Sequence, residues 1–467
     1  MLKLFNTRMI PAITHSVNGT YLREYLESPR RLAIASGLLT MALSIFFLRD
    51  GLKITVDGWG YWESSVSLLN GDGFHYFGGQ PVVVFGPLFP VYLASVQKIF
   101  GVSGGSLVVG FIILAVLTSS AWSYLFSSLS NRSNHQAATK RTIVSYQHLI
   151  FPIYVSTFIS FYYRFLLSEA LFLLLLALLF IAITQIALKR EHKSHLWRQM
   201  CYLNVVLVLL LFTRNSAWVF VPGVVVVLFF TLDHKKWIQR IVLSSFPLLF
   251  ALISWGSLRQ LLRQRASHTF KLGGNYTPGE YLTQILAGLA EMLGPKLYGI
   301  DWLVLLLIGV AMLWLSTIMK QHLRRKIDVQ QIALIQIFSI TISGLGGLYV
   351  LFNLTHIHDQ LAWRFLWFFI LGIVGVWATY ATWLPTCKGK RFLSTVLLIV
   401  VSLQIARTGV HTIKIALGQS FPLPNVALEQ TIRSDYITGD PIKEGNLTLV
   451  APPDFEWLDR RYNERAK

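Results

Sequence analysis

Charge is scarce in this chain, and acidic charge is scarcer still. Of 467 residues only 13% are Asp, Glu, Lys or Arg, and 22 acidic residues face 41 basic ones. A soluble globular chain carries about 25% charged residues, so an ordinary water-facing surface is excluded. Cysteine is almost absent. Cys201 and Cys387 both adjoin basic connections expected in the cytoplasm, so no disulfide framework is implied. No glycine-rich Walker pattern with its Lys and Ser or Thr occurs, which argues against ATP hydrolysis. No tetrahedral zinc spacing occurs either. The short alternating segments of a transmembrane barrel are missing, and the two halves of the chain do not repeat each other. Residues 1–31 are polar and mixed, with no short apolar stretch before a small-residue cleavage site, so the first apolar run is expected to remain as a span.

What the chain does have is apolar length. Hydrophobic residues make up 54% of it and the mean hydropathy is +0.54. Apolar runs fall near 32–49, 104–127, 143–163, 167–187, 202–213, 216–232, 241–258, 301–319, 331–352, 363–383 and 391–410. A crossing needs about 20 residues, with tolerance for tilt and thinning. The pattern predicts an all-α polytopic membrane protein with about 11 transmembrane helices. The run at 202–213 is short and ends at Arg214, so it reads as a partial span or a break in a hairpin. PLFPVYLASVQKIF at 87–100 reads as a helix lying at the interface.

The net charge of +19 could point to nucleic acid, but its distribution does not. Basic residues gather in short connections: Arg30–Arg31, Lys140–Arg141, 189–198, 234–237, 322–326 and 387–391. Placing the first in the cytoplasm places them all there; RQLLRQR at 259–265 is the exception. The expected organisation is a cytoplasmic segment 1–31, a membrane domain 32–410 and a short extracytoplasmic tail 411–467. Within the membrane domain, the large first outer loop 50–103 contains interfacial helices and a second outer loop runs over 259–300. The elaborate loops thus share one face, where the work of the protein is expected.

Several ionisable residues reach that face. Asp57 and Glu63 lie in ITVDGWGYWESSVSLLNGD just beyond the first span. Arg164 and Glu169 lie in YYRFLLSEALF, Arg214 in LLLFTRNSAW and Arg364 in HIHDQLAWRFLWFF. Charge at membrane depth is costly unless paired, hydrated or snorkelled. Two carboxylates with guanidiniums fit an anionic substrate, since Arg matches phosphate oxygens through its planar fork. At a membrane surface the simplest phosphate belongs to a lipid. A carboxylate beside a sugar hydroxyl or an amine can act as general base. Trp59, Tyr61 and Trp62 offer flat faces with polar edges, suited to interface anchoring or to stacking on a sugar. His75, His356, His358 and Asp359 are further candidates for lining a sugar or acceptor cavity. No cofactor is required by the pattern. Asp57 and Glu169 could hold a divalent cation together with a lipid phosphate, although nothing local requires a metal.

The order of these motifs carries a resemblance. One span is followed by an outer loop that opens with Asp57 and closes with PLFPVYL before IFG. Then come LLSEALFLLLLALL, LLLFTRNSAWVFVP and AWRFLWFF. Over about residues 32–385 this order resembles the C-type superfamily of integral-membrane glycosyltransferases, nearest its aminoarabinose transferases and protein O-mannosyltransferases. The resemblance implies a polyprenyl- or dolichyl-phosphate sugar donor and transfer with inversion on the extracytoplasmic face, most simply of a bacterial inner membrane. It makes Asp57 the catalytic residue of the first outer loop. Ser168 with Glu169, Arg214 and Arg364 match the family's later motifs. Two departures stand out. Gly58 follows Asp57 where many members carry a second acidic residue, and the tail is too short for a large soluble acceptor-binding domain.

Taken together, these features predict a membrane glycosyltransferase with Asp57 as general base, Glu63 and Glu169 as further catalytic candidates, and Arg214, Arg364 and Arg164 on the donor phosphate. The acceptor could be lipid, glycan or protein. The alternatives are a lipid-linked glycan transporter, which the lack of repeated halves disfavours, and an undecaprenyl-diphosphate-glycan polymerase or ligase. The latter would favour a large outer loop late in the chain, whereas the largest comes first.

Overall fold

A computed structural model of the chain describes residues 28–49, 52–75, 86–131, 147–188, 193–232, 237–261, 277, 279–280, 329–354, 367–383, 395–399, 402–403, 405–406, 409–410, 413 and 429–432. These residues are almost entirely helical. In chain order they form α1 (Pro29–Phe47), β1 (Leu52–Thr55), α2 (Val56–Asn70), α3 (Leu88–Phe100), α4 (Gly104–Asn131), α5 (Gln147–Tyr162), α6 (Glu169–Leu188) and α7 (Lys193–Thr213). A 3-10 helix (Asn215–Phe220) leads into α8 (Val221–Thr231), followed by α9 (Trp237–Leu261), α10 (Val329–Leu354), α11 (Trp367–Trp383) and β2 (Glu429–Ile432).

Six described helices are long and apolar enough to cross a membrane: α1, α4, α6, α9 and the apolar lengths Leu196–Thr213 of α7 and Gln330–Leu348 of α10. This is an integral membrane protein of the all-α polytopic class. The short run at 202–213 is the distal part of a full helix, because α7 begins nine residues earlier, at Lys193. Its polar first turns satisfy backbone hydrogen bonds as well as apolar ones would, so hydropathy alone underestimates its length. The apolar run at 301–319 lies outside the described residues, as does nearly all of the loop expected over 259–300. From that loop Thr277 and Glu280 form a helix-start cap. The Glu280 carboxylate accepts from the Thr277 amide (2.8 Å) and hydroxyl (2.9 Å), which holds it below the usual carboxylate range.

Small hydroxyl residues join the first helices. Ser36 Oγ of α1 lies 2.6, 2.7 and 2.8 Å from Oγ of Ser119, Ser123 and Ser156, on α4 and α5. Beside it, a Cβ on Gly37 would come within 2.5 Å of Ser120 Oγ. In a bilayer, where apolar surface gains little by leaving lipid, such close small-residue contacts and hydroxyl bonds drive association. At the centre of the bundle α6 is buried on nearly all sides, whereas α9 is exposed along most of its length.

The segment 50–103, expected as the first outer loop, is not an open loop. It contains β1, α2 and α3, and α2 is buried from Gly60 to Ser67. Asp57, Gly58 and Gly60 lie inside α2 rather than in turns. Glycine is a poor helix former, but packing overrides that preference here. Among the described residues the glycines that turn the chain are Gly71, Gly73 and Gly101, with φ of 84°, 85° and 89°. Gln97 of α3 donates to Ser65 Oγ of α2 (3.0 Å), and Tyr92 of α3 donates to the Gly110 carbonyl of α4 (2.6 Å). The described residues also include a short two-stranded ribbon, in which β1 pairs antiparallel with β2 from the tail.

Candidate active site

The turn between α5 and α6 brings charge to one end of the bundle. Tyr163 fixes this turn: its hydroxyl donates to the Ala170 carbonyl (2.7 Å) and lies 2.9 Å from Thr118 Oγ1 of α4. Ser168 and Glu169 follow, both fully buried, at the amino end of α6. A carboxylate there is favoured by the unpaired amides and dipole of the helix start.

Arg214 arrives from the next hairpin. The chain leaves α7 after Thr213, Arg214 takes an extended conformation (φ −152°, ψ 138°), and the 3-10 helix begins at Asn215. This break turns the guanidinium back toward α6. Arg214 Nη1 forms an ion pair with Glu169 Oε1 and donates to Ser168 Oγ (3.2 Å), and Nε donates to Ser216 Oγ (3.4 Å). Arg214 remains 12% exposed while Glu169 is fully buried, so the arginine is the member that reaches outward.

A third element joins through Tyr61 of α2, whose hydroxyl lies 2.9 Å from Ser168 Oγ. Its ring meets Phe89 of α3 edge-on at 5.0 Å. Asp57 is the second residue of α2 and stands one helical turn before Tyr61, on the same helix face. Glu63 is six positions from Asp57, which turns it about 120° around the helix axis; it is buried. The cluster therefore links α2, α6 and the α7 break, with Asp57 one turn from it along the backbone.

The remaining candidates divide. Arg164 is buried with its guanidinium over the rings of Phe161 (4.4 Å) and Phe165 (4.7 Å), a cation–π setting. Trp62 is fully buried and fills the core, so it does not present a face for stacking. His75 is tied into its own turn, with Nδ1 2.6 Å from the Asp72 carbonyl. Trp59 is a backbone position of α2 between Asp57 and Tyr61. Arg364, His356, His358 and Asp359 lie outside the described residues. The helix that Arg364 precedes does reach this end of the bundle, since Phe368 of α11 meets Phe172 of α6 at 4.5 Å. Among the described residues no three His, Cys, Asp or Glu side chains come together as a metal site.

Sequence reasoning missed Ser216, Tyr61's bond to Ser168, and Gly86. A Cβ on Gly86 would collide with the Phe212 carbonyl, so this glycine lets the segment before α3 lie directly on the end of α7, two residues before Arg214. This glycine immediately precedes PLFPVYL, but only the end of α7 packed against it explains why it must be glycine.

No family model matches the chain, and no curated protein matches it. Among solved structures it is similar to the arabinosyltransferase EmbB from Mycobacterium smegmatis, known from single-particle cryo-EM, at 12% identity and a TM-score of 0.34. That match covers 88% of this chain and 44% of the other, so the chain spans less than half the length of EmbB.

Proposed function

We propose that this protein is a membrane glycosyltransferase that moves a sugar from a polyprenyl-phosphate donor to an acceptor on the extracytoplasmic face, most simply of a bacterial inner membrane. The observation that carries the reading is the largely buried Tyr61–Ser168–Arg214–Glu169 network at the end of the bundle where α2 carries Asp57 in its first turn. Burying an ion pair costs desolvation that a lipid-facing bundle has little reason to meet for stability alone. A partly exposed arginine held rigidly by a buried glutamate fits a phosphate-binding role, because its fork is pre-oriented before the ligand arrives.

In this reading Glu169 and Ser168 position Arg214, and Arg214 neutralises the lipid phosphate as it leaves. Arg364, ahead of α11, is the second phosphate ligand. The Asp57 carboxylate takes the proton from an acceptor hydroxyl or amine as that group attacks the anomeric carbon. The C–O bond to phosphate breaks on the opposite face, so the configuration inverts. The lipid phosphate leaves with the bonding electrons and the acceptor's proton passes to Asp57, so no nucleotide is needed.

The test is mass spectrometry of membrane lipids and surface glycans from cells lacking the gene. Accumulated polyprenyl-phosphate sugar with loss of one glycan is the expected result. Unchanged donor lipid and unchanged glycans would overturn the assignment, and accumulation of a completed lipid-linked glycan would favour transport.

A further inference from the structure

The β1–β2 ribbon joins opposite ends of the chain. Leu52 pairs with Ile432, Lys53 with Thr431, Ile54 with Gln430 and Thr55 with Glu429. Two strands this short do not persist alone in water, and this ribbon is anchored by Leu52, which is 1% exposed in the core, and by contacts of β1 with α2 and α4. No linker separates β1 from α2: Thr55 ends the strand and Val56 opens the helix. The direction in which the chain enters α2 is therefore the direction of β1. Asp57 is only two residues beyond the strand.

We infer that the tail segment Glu429–Ile432 is a positioning element for Asp57. By taking the hydrogen-bonding edge of β1 it fixes the amino end of α2, so that a segment remote in sequence controls turnover. This rests on the reading of Asp57 as the base. Main-chain hydrogen bonds hold the ribbon, so proline on β2 breaks it without altering any residue of the Arg214 cluster. Because inward-facing amides alternate along a strand, Gln430→Pro with Thr431→Pro removes at least one that faces β1.

The full chain is tested in nanodiscs in a Cys201→Ser, Cys387→Ser background. Lys53→Cys with Thr431→Cys places two thiols on directly opposed residues, at a spacing that a disulfide spans; the offset pair Lys53→Cys with Glu429→Cys is the control. The opposed pair should cross-link on mild oxidation well ahead of the offset pair. In the double-proline variant, amides of Val56–Gly60 should exchange hydrogen about tenfold faster. Turnover with undecaprenyl-phosphate pentose and hexose donors and a cell-envelope acceptor extract should fall up to about 10²-fold, with donor KM unchanged. Absence of the opposed cross-link, or native exchange and native turnover in the proline variant while Asp57→Asn is inactive, overturns the inference. If Asp57→Asn itself keeps full transfer, the base assignment falls and the positioning role with it, while the cross-link still reports the ribbon independently.

Discussion

At the scale of single residues, the pair Glu169–Arg214 makes a prediction that separates folding from function. Arg214→Gln removes from a fully buried carboxylate the guanidinium paired with it. Removing one member of a buried pair costs roughly 3–5 kcal/mol, whereas removing both is often close to neutral. Arg214→Gln should therefore lower the thermal midpoint in detergent substantially. Arg214→Gln with Glu169→Gln should recover most of that loss, yet still bind the donor lipid weakly. Recovery of donor binding along with stability would show that Arg214 serves only the fold. These two residues were legible in the sequence because charge beside long apolar runs is conspicuous. Tyr61 was legible only as an aromatic of the outer loop, since its bond to Ser168 joins positions 107 residues apart. Trp62 shares that aromatic stretch, and its complete burial in the core is set by packing that the local sequence does not encode.

At the scale of elements, Gly86 sets how closely the start of α3 approaches the end of α7. Gly86→Ala puts a methyl group onto the Phe212 carbonyl, and the backbone must shift to admit it. Overpacking of this kind costs about 1–3 kcal/mol. The variant should melt lower and show raised donor KM, because the strained carbonyl lies two residues before Arg214. An unchanged melting midpoint would contradict the close approach. The hydroxyl node of α1, α4 and α5 is a second handle: Ser36→Ala should cost about 0.6–1.7 kcal/mol, measured as a lower unfolding midpoint with donor KM unaffected, since the hydroxyl of Ser36 bonds to Ser119, Ser123 and Ser156 and not to Ser168, Glu169 or Arg214. Helix existence was readable from apolar runs, and helix length was not. The polar start of α7 shows why, for the residues Lys193–Arg198 are helical through hydrogen bonding rather than hydropathy. The strand β2 left no signal in EQTI, because a polar four-residue strand is specified by its partner.

At the scale of the whole molecule, the arrangement of basic connections predicts which face carries the cluster. A single cysteine at Asn70, the exposed last residue of α2, in a Cys201→Ser, Cys387→Ser background, should react with a membrane-impermeant thiol reagent in intact cells or spheroplasts. Asn70 is the better site than Gly71, whose positive φ would strain any side chain. A second reporter at Glu444 should react from the same side, since the tail strand already lies against β1. Labelling of either position only after permeabilisation would reverse the orientation. With the orientation established, the central claim is that Asp57 is the base, and it is tested most directly by turnover of purified Asp57→Asn protein with polyprenyl-phosphate sugar donors and a cell-envelope acceptor extract. Asparagine keeps the size of the side chain and removes the ionised base. A placed acid–base group contributes about 10²–10⁴-fold in rate, so transfer should fall by that order while donor binding changes little. Near-normal transfer by a correctly folded Asp57→Asn protein would contradict the account.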